Sequence, residues 1–224
     1  MAVNATHITF SNKLDDALTN LGQSVLHKQV VVQKVEKETI RGHNPNNPRV
    51  RSQTGQFERH VLYSNNKEWD ENIITSGLNT SIEDEFGDFF RSEVTEIKLF
   101  TFGPYSSLPL HMDRNRSYAI NFPIHITKQS QLLMHNIKTS DAEYQLYETC
   151  KADGSWDKKR SAIEDRVIKE LTEFKINGCH IINTRSWHTV LNLSQESRSQ
   201  LSIDCSAISY DAMCDKLKYY GWIK

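Results

Sequence analysis

The sequence predicts an α+β fold: a β-sandwich or barrel made by the second half of the chain, with helices of the first half packed on its outside. Three observations carry this. After residue 94, short β-branched and aromatic runs alternate with polar turns. Before residue 94, apolar residues recur at helical spacing. No internal repeat or low-complexity tract interrupts the 224 residues, a length suited to one sizeable core. The expected organisation is a single domain over 1–224, with a helical and loop-rich part at 1–93, a β core at 94–206 and a C-terminal helix at 207–224.

Leu14, Leu18, Leu21 and Val25 mark a helix over 13–27. The β-branched alternation of QVVVQKVEKETI predicts a strand over 29–40. Residues 41–56 (RGHNPNNPRVRSQTGQ) hold Gly, two Pro and several Asn, so a long loop is expected. With Arg41, Arg49 and Arg51 it suits either a lid over an anionic substrate or an ordinary surface loop. FERHVLYS (57–64) predicts a strand. Two helices follow, near Trp69–Leu78 and Ser81–Arg91, the second opening on a capping-box pattern, Ser81-Ile-Glu-Asp84. VTEIKLFTF (94–102) alternates at period two, with Ile97, Leu99 or their neighbours facing inward, and Gly103-Pro104 ends it. Strands are expected at 116–126 and 130–137, a further one at QLYETCK, and a helix over 160–174 with Ile163, Val167, Leu171 and Phe174 on one face. GCHIINTR, WHTVLNL and RSQLSIDCSAI predict three more strands, and SYDAMCDKLKYYGW a short amphipathic helix.

Composition narrows the function. Apolar residues make 38% and charged residues 25% of the chain, which is globular rather than disordered. A net charge of -1 carries no nucleic-acid signature. The start, MAVNATHITF, lacks the features of a signal peptide, and no apolar run is long enough for a membrane span, so a cytoplasmic protein is expected. None of the four cysteines, Cys150, Cys179, Cys205 and Cys214, is spaced as C-x-x-C, which removes zinc-finger and thioredoxin readings.

The chemistry lies in the β-rich half. His111 and Asp113 are one residue apart in LPLHMDRN, and on extended chain such residues point to the same side. An imidazole and a carboxylate can then converge on one ion. His188, at the start of WHTVLNL, supplies a second histidine. Two histidines and one carboxylate form the facial triad that holds non-haem iron(II) and leaves positions open. H-x-D alone is weak. Arg198, ten residues after His188 across a polar turn, strengthens it. The two are expected on adjacent antiparallel strands, with the guanidinium placed for a bidentate bond to a carboxylate. 2-Oxoglutarate needs this: one end chelates iron while the far carboxylate meets a fixed cation.

On these residues the sequence resembles the 2-oxoglutarate/iron(II) oxygenase superfamily. Residues 111–124 (HMDRNRSYAINFPI) and 183–192 (NTRSWHTVLN), followed by Arg198, are similar to the aspartyl/asparaginyl β-hydroxylase-like branch and to small phage and bacterial oxygenases. The resemblance covers roughly 94–206 and implies a double-stranded β-helix, or jelly roll. It implies iron(II) on His111, Asp113 and His188, 2-oxoglutarate as co-substrate on Arg198, O₂ as the oxidant, and hydroxylation of a peptidyl side chain, amino acid or small metabolite. It places co-substrate contacts at Asn121, on the strand after H-x-D, and Tyr118 is a further candidate there. Many relatives carry a hydroxyl residue two positions after the arginine; here that position is Gln200, with Ser202 two later. Trp187 either walls the site or belongs to the core. Arg114 and Arg116 either meet an acidic group or are exposed. His125, His135 and His180 read as structural. Two alternatives stay open: a cupin-like metal enzyme that uses no 2-oxoglutarate, and a non-catalytic β-barrel binding module.

Overall fold

The computed structural model describes residues 4–40, 55–64, 66–106, 108, 110–113, 116–135, 140, 143, 145–146, 149, 166–167, 169–206 and 208–224. Most of the expected 41–56 loop, with Arg41, Arg49 and Arg51, lies outside them, as do Arg114 and Cys150.

Two antiparallel sheets face each other. The larger has seven strands in the order β1 (Ala5–His7), β8 (His180–Asn183), β5 (Tyr118–His125), β10 (Arg198–Cys205), β4 (Val94–Phe102), β3 (Gly55–Tyr63) and β2 (Val35–Ile40). The smaller has three, β7 (Leu171–Phe174), β6 (Ser130–His135) and β9 (His188–Asn192). His111 extends the smaller sheet by an isolated bridge to His188. From β4 the chain crosses to the small sheet at His111 and returns to β5. It crosses again to β6 and β7, returns to β8, crosses to β9 and returns to β10. This winding is a double-stranded β-helix.

The two faces of the large sheet are buried differently. α1 (Asn12–Leu26), α2 (Glu71–Ser76), α3 (Leu78–Phe86), α4 (Asp88–Glu93) and α5 (Tyr210–Tyr219) bring Leu14, Leu18, Ile82, Phe89 and Met213 into one core with Ile97, Leu99, Ile120 and Ile203 of the outward face. The inward face packs Phe100, Phe102, Ala119 and Ile182 against Leu132, Met134 and Val190 of the small sheet. In β4 it is therefore Phe100 and Phe102 that look into the barrel, while Ile97 and Leu99 face the helices.

Several expectations are corrected. The strand expected over 29–40 begins only at Val35. Gln29 and Val30 donate their amides to Ser24 at the end of α1, after Lys28 has turned the chain at φ 57, so Val30 and Val32 enter the helix-facing core from a turn. Ser81 caps nothing and lies within α3. Gly77, at φ 74, both ends α2 and begins α3, and Gly87, at φ 55, separates α3 from α4 where one helix was expected. Residues 171–174 form β7 rather than the end of a helix, because pairing with β6 uses their backbone; residues 160–165 lie outside the described set. In QLYETCK the described residues Gln145, Leu146 and Thr149 are helical, with the Thr149 hydroxyl donating to the Gln145 carbonyl at 2.9 Å. β1 was not foreseen. Finally, His188 and Arg198 are not on adjacent strands. The turn between them crosses from the small sheet to the large one, so they approach from opposite walls.

Candidate metal centre

The bridge between His111 and His188 is made by both backbones, each amide donating to the other's carbonyl at 3.0 Å. It brings the rings to 4.3 Å between centroids. Two residues on, the Asp113 amide donates to Thr184 at 2.8 Å, which fixes the segment after His111. One ligand atom from each of His111, Asp113 and His188 then lies within 4.8 Å of the others, the one such cluster among the described residues.

Two of the groups, His188 and Asp113, are held in the forms that a cation needs. The Nδ1 of His188 lies 2.9 Å from the Ser186 carbonyl. A carbonyl can only accept, so Nδ1 carries the proton and Nε2 keeps its lone pair. Burial, then His111 and Arg116, bring this imidazole down to about 4, against the pull of Asp113 and the Ser186 bond. It is therefore neutral at pH 7. Burial would raise the Asp113 carboxyl, but the Arg116 guanidinium, a bond from His111 and the charges of both histidines hold it well below the usual carboxylate range. Arg116 donates its Nε to Asp113 Oδ2 at 2.5 Å, and its Nη1 to Asp204 at 2.8 Å and Ser202 at 3.1 Å. The other carboxylate oxygen, Oδ1, lies 3.4 Å from His111 Nε2. Two imidazoles and a carboxylate suit non-haem iron(II), so the residues present fit that ion.

The triad opens into a cavity of about 180 Å³ between the sheets. Phe57, Phe100, Phe102, Leu132, Ile182 and Val190 make its apolar lining. Arg198, Gln200, Asn121 and His180 line the wall given by the large sheet. Arg198 is 1% exposed. Its Nη2 donates to Gln200 Oε1 at 2.6 Å, and Gln200 Nε2 donates to Asn121 Oδ1 at 3.2 Å. Its Nε and Nη1 have no hydrogen-bond partner among the described residues. Burial brings the guanidinium down only to about 10, so it stays charged.

Six residues were expected at the site. His111, Asp113, His188, Arg198 and Asn121 line this cavity. Tyr118 does not share it: it packs in the helix-facing core and donates its hydroxyl to the Ser206 carbonyl at 2.9 Å. On β5 the inward positions are Ala119 and Asn121, and Tyr118 falls on the other side of the pleat. Trp187 is core on the outer side of the small sheet, with Leu110, Met112 and Leu133. Arg116 meets acidic groups. Gln200, His180 and Arg59 of β3 also line the cavity. The spacing of His180 and Ile182 in HIIN is consistent with one shared face, but the sequence does not say which face looks inward.

No protein-family model and no curated protein matches the chain. Solved structures of similar shape include an oxidoreductase of the 2OG-Fe(II) oxygenase family from Burkholderia pseudomallei, 10% identical, covering 90% of this chain and 95% of that one at a TM-score of 0.45. A prolyl-4-hydroxylase from Pseudomonas putida is 14% identical, covering 91% of each chain at a TM-score of 0.43. A cupin domain from Bordetella pertussis is 12% identical, covering 52% of this chain and 84% of that one at a TM-score of 0.28. At such identities the activity has to be read from the site itself. Among the described residues no helix is long and apolar enough to cross a membrane.

Proposed function

We propose that the chain is a single-domain, iron(II)- and 2-oxoglutarate-dependent dioxygenase. We place it, on the motif residues, near the aspartyl/asparaginyl β-hydroxylase-like branch. The observation that carries the reading is the buried, charged Arg198 with two unpartnered donors, in the same cavity as the His111–Asp113–His188 cluster. A buried cation without an anion is costly, so the arrangement calls for a carboxylate ligand.

In this reading His111, Asp113 and His188 hold iron, and Arg198 takes the distal carboxylate of 2-oxoglutarate with its guanidinium. Gln200 turns the guanidinium by accepting from Nη2, at the position where many relatives carry a hydroxyl residue that helps bind the carboxylate. Arg116 holds one oxygen of Asp113 and so leaves the other for the metal. Phe57, Phe100, Phe102 and Val190 keep water from the cavity. When bound, iron with 2-oxoglutarate and O₂ supplies an oxidation in which the oxoacid becomes succinate and CO₂ and the second oxygen atom enters a substrate C–H bond. The substrate is a peptidyl side chain, an amino acid or a small metabolite.

Calorimetry of 2-oxoglutarate binding to manganese-loaded protein tests this. Arg198→Ala removes one side of a desolvated charge pair, at a cost of about 2–5 kcal/mol, or roughly 30- to 5,000-fold in affinity. Arg198→Lys recovers part, because a point charge lacks the bidentate fork. Equal affinity in Arg198→Ala would overturn the reading in favour of a cupin-like metal enzyme that does not use the oxoacid.

A further inference from the structure

A second buried group in the cavity wall lacks a partner. His180 is 1% exposed, and its Nδ1 lies 3.0 Å from the Gly178 carbonyl. As that oxygen only accepts, Nδ1 holds the proton of the neutral ring, and Nε2 is left as a bare lone pair. Nε2 has no hydrogen-bond partner among the described residues, and His180 lines the cavity. It pairs in register with Asn121, which accepts from Gln200, which in turn holds Arg198. The four residues make one polar row across β8, β5 and β10.

The charged groups acting on the imidazole are Arg198 across the row and His7, its register partner on β1; the Phe174 ring packs at 5.4 Å. His111, Asp113, His188, Arg116 and Arg59 also line the cavity. Burial first, then Arg198 and His7, bring His180 down to about 4, against its bond to Gly178. The ring is thus neutral until an anion arrives. A carboxylate set beside a bare lone pair is repelled by it. The same carboxylate offsets the charge of Arg198 and favours an imidazolium, whose Nε2–H can donate.

We propose that His180 is a second anchor for the carboxylate held by Arg198, and that it takes up one proton from solvent when that carboxylate binds. This rests on the co-substrate reading above. The bound carboxylate then meets the guanidinium fork and one imidazolium N–H, and Gln200 needs no hydroxyl to complete the set. Binding linked to a proton weakens as pH rises, by about tenfold per pH unit between the His180 value in the free protein, about 4, and its raised value in the complex, and levels off above that.

Titrating 2-oxoglutarate into manganese-loaded protein at one neutral pH, in two buffers of different ionisation enthalpy, counts the protons. Net uptake approaching one proton is expected in the wild type. His180→Gln offers a permanent amide N–H, so it is expected to keep most of the affinity while losing the uptake and the pH slope. His180→Phe is expected to lose at least about tenfold in affinity, the worth of roughly one hydrogen bond to a charged group. Binding without proton uptake in the wild type, or uptake that persists in His180→Gln, would overturn the assignment and leave the oxygenase reading standing. No binding of 2-oxoglutarate by the wild type would overturn both.

Discussion

Arg116 is half-buried at the cavity wall and joins Asp113 to Asp204 and Ser202, so it supports the proposed metal ligand from behind. Loss of such an outer partner typically costs about 10- to 100-fold in metal affinity. Arg116→Met is expected to weaken manganese binding by that amount in a metal titration, with the fold kept by circular dichroism; unchanged affinity would show that Asp113 needs no such support. His188→Ala should be more severe, leaving no tight site, since one of three donors is gone. Wild-type affinity in that variant would remove His188 from the ligand set. At this scale the sequence was readable where chemistry is local. His111 and Asp113 are two apart on extended chain, and His188 and Arg198 are separated by a short polar turn. Tyr118 was expected on the wrong face, and the cavity-facing place of His180 was not read, because alternation gives two faces without saying which one looks inward. The packing of the helices on the outer face of the large sheet decides that.

α1 lies close enough to β5 that Gly22 is a contact rather than a helix-breaking accident. A Cβ there would stand 2.4 Å from Ile124 Cδ1 and 2.6 Å from Cγ1. Gly22→Ala gains about 1 kcal/mol of helix propensity, yet overpacking costs about 1–3 kcal/mol. A net loss of stability is expected in urea denaturation. Adding Ile124→Val should recover part of it, so that the pair is non-additive; simple additivity would mean that the helix shifts freely. The elements that were legible are those whose own pattern agrees with their place, such as α1, β4 and β10. The helix expected over 160–174 failed at its end because the backbone of 171–174 is claimed by β6, a partner far away in sequence. Ser81 failed as a cap because Gly77 had already turned the chain into α3.

The helical layer and the barrel are tied by a polar knot at Glu93, at the end of α4. Its carboxylate accepts from Lys216 of α5 and from Ser206 after β10, and its carbonyl accepts from the Ser206 amide at 2.7 Å. Burial would raise this carboxyl, but the bonds from Lys216, Ser206 and Ser92 and the Lys216 charge outweigh it and hold the group below its ordinary 4.5. A carboxyl lowered by folding contributes stability that is fully present above that ordinary value and drains away as pH falls through it. Glu93→Gln is expected to cost about 1–3 kcal/mol near neutral pH. The gap to wild type should close in thermal melts as the solution is acidified below 4.5. A gap independent of pH would assign the loss to shape rather than charge. The crossing of the β9–β10 turn from one sheet to the other has a consequence of its own. The triad belongs to one wall and the guanidinium to the facing wall, so a molecule gripped at both ends is gauged by the gap between them. Facing sheets stand about 10 Å apart, and packed cores hold that spacing stiffly. The barrel is thus a caliper whose jaws are set by Phe100, Phe102, Leu132 and Val190. In the proposed reading, thinning those side chains would change which length of diacid fits without touching a single polar group.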